Sequence, residues 1–263
     1  MSDNQNNEGG ADSQGNEQPQ QAGSAQYRLI EHIKSNKIDC ALWATRLLTI
    51  CFAIGYMIPI FGSSQSAYNK VLLANAATSA LRLHQRLPSF QLSRAFLSQL
   101  FVEDSCHYLL YSFIFMYVSP VFLILVPVVS FAILHASSYS LKLLDLIGQN
   151  SCWSARFLIS LIEFQATNIL RVCSLSEIFS MPLAIIMVFI GKAGLMTPFI
   201  YYHFIVMRYM SRRNPYTRSM FTELRMSVEH LAYRCPPVLS KVLRFGISLV
   251  TRLAPQQQSA ATQ

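Results

Sequence analysis

Residues 107–134 form 28 consecutive positions without a formal charge, histidine taken as neutral. A run of this length commits the chain to hydrocarbon, because a helix crosses a core of about 30 Å with about 20 apolar residues. Pro120 and Pro127 interrupt the run. A proline removes one helical hydrogen bond and crowds the preceding turn. The run therefore predicts either one long tilted span or a hairpin of two arms, each of about 13 residues, meeting near Ser119 and Pro120.

Residues 41–61 are long enough to cross as a single helix. Arg46 stands close to the start of that run, where a long stem can carry its charge to the headgroups, so it is expected to mark the end of the span. Residues 178–190 and 195–210 are apolar on either side of Gly191-Lys192-Ala193-Gly194, which predicts a second hairpin. Tyr201, Tyr202, His203 and Tyr209 suit a membrane–water boundary.

Composition agrees. The chain is 52% hydrophobic and 13% charged, against about 25% charged in a soluble domain. The fold class expected is all-α: a polytopic integral membrane protein with helical spans or hairpins plus interfacial amphipathic helices. Residues 1–26 carry acids, no Lys or Arg, and many Gln, Asn, Gly and Ser; they read as a disordered polar tail. Residues 27–210 read as a helical membrane domain, 211–255 as a cytosolic basic amphipathic region, and 256–263 as a second polar tail.

Three stretches have two faces. In residues 71–87, Leu72, Ala76, Ala80, Leu83 and Leu87 oppose Asn75, Ser79, Arg82 and Arg86, a pattern that suits a helix lying in the interface or a poor span. Residues 155–171 repeat Arg156, Ser160, Glu163, Thr167 and Arg171 along one face. Residues 238–253 are the sharpest case: Leu243 and Leu249 lie on the apolar face, with Lys241, Arg244 and Arg252 opposite. Basic residues beside an anionic leaflet contribute roughly 1 kcal/mol each. The expected membrane-surface set is therefore Arg82, Arg86, Lys241, Leu243, Arg244, Leu249 and Arg252.

The basic C-terminal region points to the cytosol. The flank holding Arg28, Lys34 and Lys37 and the acid-free segment 70–94 are basic too. All three cannot share the cytosol if residues 41–61 cross once and the next segment lies on the surface: either the helix over 71–87 spans, or the N-terminus is lumenal, or the first span is bent.

Glu103, Asp104 and His107 form a polar cluster where a helix enters the bilayer. Glu103 and His107 stand one turn apart on a helix and can pair, which would suit acid–base chemistry. The stronger expectation is that the acids anchor the helix end. The six cysteines form no CxxC pair, and no zinc or disulfide spacing is present. No metal, cofactor or catalytic residue is assigned. Nucleic acid is not expected as a partner, since no aromatic–basic platform accompanies the charges.

The blocks "SALRLHQRLPSFQLSRAFLSQLFVEDSCHYLLYS" (79–112), "FIYYHFIVMRYMSRRNPY" (199–216) and "RLAP" (252–255) closely resemble the transmembrane protein 33 family, over about residues 27–255. The resemblance implies a multi-pass protein of the endoplasmic reticulum membrane and nuclear envelope. It implies association with reticulon-type tubule-shaping proteins, with nuclear pores and with the ER stress response, and it brings no enzymatic activity. The expected function is non-enzymatic: binding curved membrane and partner membrane proteins. A regulatory partner of an ER channel or stress sensor is the alternative; a membrane-embedded enzyme using Glu103 and His107 ranks below both.

Overall fold

The computed structural model of the protein describes residues 27–58, 62–87, 93–149, 151–211 and 214–234, together with 236, 240, 241, 244 and 248. Among them there is no strand. The helices are α1 (residues 27–35), α2 (Lys37–Met57), α3 (Ser64–Arg86), α4 (Arg94–Val102), α5 (Asp104–Met116), α6 (Phe122–Ile147), α7 (Trp153–Phe164), α8 (Ala166–Phe189), α9 (Met196–Met210) and α10 (Tyr216–Arg234). Of these, α2, α6 and α8 are long and apolar enough to cross a membrane.

Local chemistry sets several boundaries. Ser63 and Ser93 cap α3 and α4, their Oγ atoms accepting the N–H groups of Ser66 at 3.2 Å and Phe96 at 3.1 Å. Gly148 closes α6 at φ 77. Its N–H donates to the Asp145 carbonyl and that of Gln149 to Leu144, an arrangement that suits glycine because a Cβ is disfavoured at positive φ. Pro127 and Pro182 are accommodated inside α6 and α8.

The helices alternate in direction. Between α2 and α3, Thr78 Oγ1 donates to Thr45 Oγ1 at 2.9 Å and Gln85 Nε2 to Asp39 Oδ1 at 3.1 Å, while the rings of Tyr56 and Tyr68 lie 6.1 Å apart. These pairs place the start of one helix beside the end of the other. In α3 and α5, Asn75 Nδ2 donates to Ser112 Oγ and Tyr68 to the Phe115 carbonyl. Tyr111 donates to the Ile124 carbonyl, and Tyr108 meets Phe131 edge-on, which folds α6 back along α5. Tyr201 donates to the Glu177 carbonyl and pairs α9 with α8. The result is an up-and-down bundle with a buried aromatic centre of Tyr68, Tyr108, Tyr111, Phe115, Tyr201 and Phe204.

One end gathers α1, the start of α2, the end of α3, the start of α5 and the later turns of α6. His32 contacts the Tyr139 hydroxyl, and Trp43 donates to Ser140. At the other end the two hairpin turns meet, where the Ser119 N–H donates to the Lys192 carbonyl at 3.1 Å. The basic N-terminal flank and the basic end of α3 thus share a side because α3 runs back along α2.

Several expectations change. The run at 107–134 is a hairpin, but its second arm is the 26-residue α6; Pro127 sits in the helix without breaking it, so only the Pro120 region turns. The two-faced stretch 155–171 is not one helix: it is divided at Gln165 between α7 and α8. Tyr201 is buried in the aromatic centre rather than at a boundary, because its face of α9 packs on α5 and α8. Arg46 lines a cleft inside the bundle instead of standing on its outer surface. It lies 7% exposed, on the side of α2 that faces α3 and α6.

Candidate functional site

The polar end of the bundle holds a cleft of about 350 Å³ bordered by Arg46, Arg82, Arg86, Asp104, His135 and Arg208 among others. An adjoining cleft of about 370 Å³ shares Arg46, Arg82, Arg86 and His135 and adds Asp39 and Lys142. Helical spacing explains the convergence. Asn75, Ser79, Arg82 and Arg86 recur every three to four residues, so they share one face of α3. That face turns inward: Ser79 is buried, Asn75 bonds to Ser112, and Arg82 lines both clefts. The opposite side, with Leu73 exposed, is free to meet lipid.

Beneath the clefts lies an ionic network. Arg208 of α9 is 1% exposed and Glu177 of α8 is 0% exposed. Arg208 Nε donates to Glu177 Oε2 at 3.2 Å, and its Nη1 to Asp104 Oδ1 at 3.1 Å. The Tyr108 hydroxyl donates to Glu177 Oε1, and Ser211 Oγ to Asp104 Oδ1. The guanidinium also stands 5.1 Å from the centre of the Tyr108 ring, a favourable cation–π position. A buried ion needs partners of this kind, because desolvation of each charge costs several kcal/mol.

The polar cluster at 103–107 joins the same region without forming the Glu103–His107 pair. Glu103 instead meets Arg86, Nη1 to Oε2 at 2.5 Å, and is buried. Asp104 belongs to the Arg208 network. His107 is buried, with Nε2 positioned to donate to the Phe101 carbonyl at 2.7 Å and Nδ1 3.8 Å from Asp104 Oδ1. The pairing differs because the break between α4 and α5 at Glu103 takes that residue off the helical i, i+4 geometry. Among the described residues no group of three or more His, Cys, Asp or Glu side chains is placed to hold a metal ion.

Lys241 and Arg244 are exposed, with the Arg244 guanidinium 5.3 Å from the Tyr233 ring centre. Leu243, Leu249 and Arg252 lie outside the described residues. Helix α10 packs on α8 and α9, tied by Arg171 Nη2 to Glu223 Oε2 at 2.7 Å and by Tyr209 against Phe221.

Pattern reading singles out Arg46 but not its burial, and it passes over Glu177 and the inward turn of Arg208. Glu177 did carry a signal: it is the sole acid between Glu163 and Glu223 and stands in an apolar segment. A charge in such a place has a partner or a function by default. Arg208 reads in sequence as part of the basic C-terminal group, and only packing moves it inside.

A family model described as "Transmembrane protein 33/Nucleoporin POM33" matches residues 20–256. "Krueppel homolog 2" of Drosophila melanogaster is 61% identical over 236 residues, covering 90% of this chain and 86% of that one. "Transmembrane protein 33" of Homo sapiens is 46% identical over 241 residues, covering 90% and 96%. "Transmembrane protein 33 homolog" of Caenorhabditis elegans is 39% identical over 232 residues, covering 86% and 85%. No solved structure matches. With its helical bundle, three candidate spans and a match over most of its length, this chain belongs to the transmembrane protein 33/nucleoporin POM33 family of membrane proteins.

Proposed function

We propose that the protein is a non-enzymatic organiser of curved endoplasmic reticulum and nuclear envelope membrane. It seats amphipathic helices in one leaflet and holds partner membrane proteins, reticulon-type proteins among them, beside its bundle. The observation that carries this reading is α7. Its Trp153 and Phe157 rings stack 6.0 Å apart and are 81% and 56% exposed, beside the exposed Arg156. The helix joins the polar end of α6 to the start of α8, so its rings sit near headgroup depth. An apolar face next to basic residues at that depth suits insertion into one leaflet, and added area in one leaflet favours bending. The short α4 exposes Leu97, Phe101 and Val102 at the same end.

Charge supports the orientation. Arg28, Lys34 and Lys37, Arg86, Lys142, Arg208 and Arg218 gather toward one end, whereas the opposite half carries Lys70 near the start of α3 and Lys192 in a hairpin turn. By the positive-inside rule the basic end faces the cytosol, with the C-terminus. Within this reading, residues 27–210 form the membrane domain and 211–255 a cytosolic basic region. The nucleoporin in the family's description extends the proposal to the pore membrane, which is sharply bent.

The test is sorting of the full-length protein between a giant vesicle and a thin membrane tube pulled from it. Wild type is expected to be enriched on the tube, and Trp153→Glu with Phe157→Glu to lose that enrichment. Equal enrichment of the two proteins would remove α7 from the mechanism.

A further inference from the structure

The clefts between α2, α3 and α6 hold more positive charge than their surroundings neutralise. Arg46 is 7% exposed, yet among the described residues neither Arg46 nor Arg82 forms a hydrogen bond or ion pair. Both line both clefts, with Arg86 and His135; Lys142 joins them in one. Arg86 is taken by Glu103. Asp39, the acid in the second cleft, accepts a hydrogen bond from Gln85 and attracts Arg46 and Arg82 only from a distance, without an ion pair to either. Arg208, which lines the first cleft, keeps Nη2 buried and without a hydrogen-bond partner among the described residues. Donors with no acceptor, held by three helices at the wall of an open cleft, describe a site for an anion that comes from outside the chain.

The chemistry of the donors narrows the anion. Guanidinium groups present forked N–H pairs that match the oxygens of a phosphate, and they keep their charge at every physiological pH. The second cleft, of about 370 Å³ and lined by Arg46, Arg82, Arg86 and Lys142, falls in the range that accepts a small ligand or a headgroup. Arg46 stands nine residues beyond Lys37, about 14 Å along the helix. The anion must therefore enter the bundle from the polar end, past Asp39, Gln85 and Lys142, rather than rest on its surface.

We propose that this cleft binds a phosphate monoester dianion, gripped by Arg46 and Arg82, with Arg86 and Lys142 at its mouth. Two sources offer that chemistry: the headgroup of a lipid such as phosphatidic acid, and a soluble phosphate ester. The site is separate from the exposed face of α7. Loss of headgroup binding would leave tube sorting by Trp153 and Phe157 unaffected.

The experiment uses the purified full-length protein in nanodiscs of phosphatidylcholine, with and without phosphatidic acid. Lipid retained by the protein is measured by native mass spectrometry. In a second arm, glycerol 3-phosphate and inorganic phosphate are titrated into the phosphatidylcholine discs, with binding read by calorimetry. Arg46→Gln with Arg82→Gln is expected to weaken binding about tenfold or more, and Arg46→Lys with Arg82→Lys by less, since charge remains while the fork is lost. Arg225→Gln, in an exposed pair with Glu229 on α10, should change it by less than about twofold. Retention of phosphatidic acid over phosphatidylcholine assigns the headgroup. Saturable binding of the soluble esters assigns an aqueous ligand. Wild type that binds neither overturns the proposal without any appeal to a variant. Undiminished binding by the double glutamine variant overturns it as well.

Discussion

Arg208 Nε donates to Glu177 Oε2 across 3.2 Å, in a place where the two residues are 1% and 0% exposed. The pair joins α9 to α8 at the level where Asp104 brings in α5. Its strength depends on completeness, since an ion left alone in this environment has neither water nor counter-charge. Arg208→Met should therefore destabilise the bundle by about 3–5 kcal/mol. The variant combining Arg208→Met with Glu177→Met should recover most of that loss. Thermal unfolding in detergent, followed by circular dichroism, checks both; a double variant no better than the single would refute the pairing as the cause.

The direction of α3 has a consequence for labelling. In a cysteine-free background, Lys34→Cys and Gln149→Cys should react with an impermeant maleimide from one side of sealed microsomes. Gln65→Cys and Lys192→Cys should react only after the membrane is opened. These positions are exposed and lie toward the two ends of the bundle. Labelling of Gln65→Cys together with Lys34→Cys would mean that α2 does not cross.

Gly148 offers a test of backbone conformation free of packing. It sits at φ 77, and a Cβ placed there would meet nothing within 4 Å. The cost of Gly148→Ala is then the left-handed backbone alone, about 1–2 kcal/mol. Asn, which tolerates that region better, should cost less than Ala. Thermal unfolding of both variants gives the comparison, and an order of Ala above Asn in stability would contradict it.

Cys152 has its thiol lowered by the hydrogen bond with Ser154 and by the backbone N–H of Ala155. These contacts favour the thiolate. A chain retaining only Cys152 should gain alkylation rate at lower pH than the same chain unfolded in denaturant. Because the folded value is the lower one, the folded chain holds the larger thiolate fraction until both are deprotonated. Ser154→Ala should move the profile upward. Coincident folded and unfolded profiles, measured by stopped reaction with a maleimide, would rule this out.

The loop chemistry and the membrane-seeking segments were legible residue by residue. Gly191 between two apolar runs does turn the chain, at φ 76, and the Pro120 region does reverse it. Other residues were legible in type but not in direction. Asn75, Ser79 and Arg82 read as the polar stripe of an interfacial helix or a poor span, since a helical pattern shows that residues share a face and not what that face meets. The Glu103–His107 pair failed for a related reason: i, i+4 spacing holds only within an unbroken helix, and Glu103 lies between two.

Sequence alone determined that this chain is helical and membrane-seeking, with basic residues concentrated outside its apolar runs, because length, hydropathy and charge act along the chain. Tertiary structure decided that α3 returns beside α2, that Arg208 crosses to Glu177, and that Arg46 and Arg82 share a cleft. Those outcomes depend on which helix faces lie against each other. A lone helix cannot tell a polar face turned to water from one turned to a polar interior, and only its neighbours decide between them.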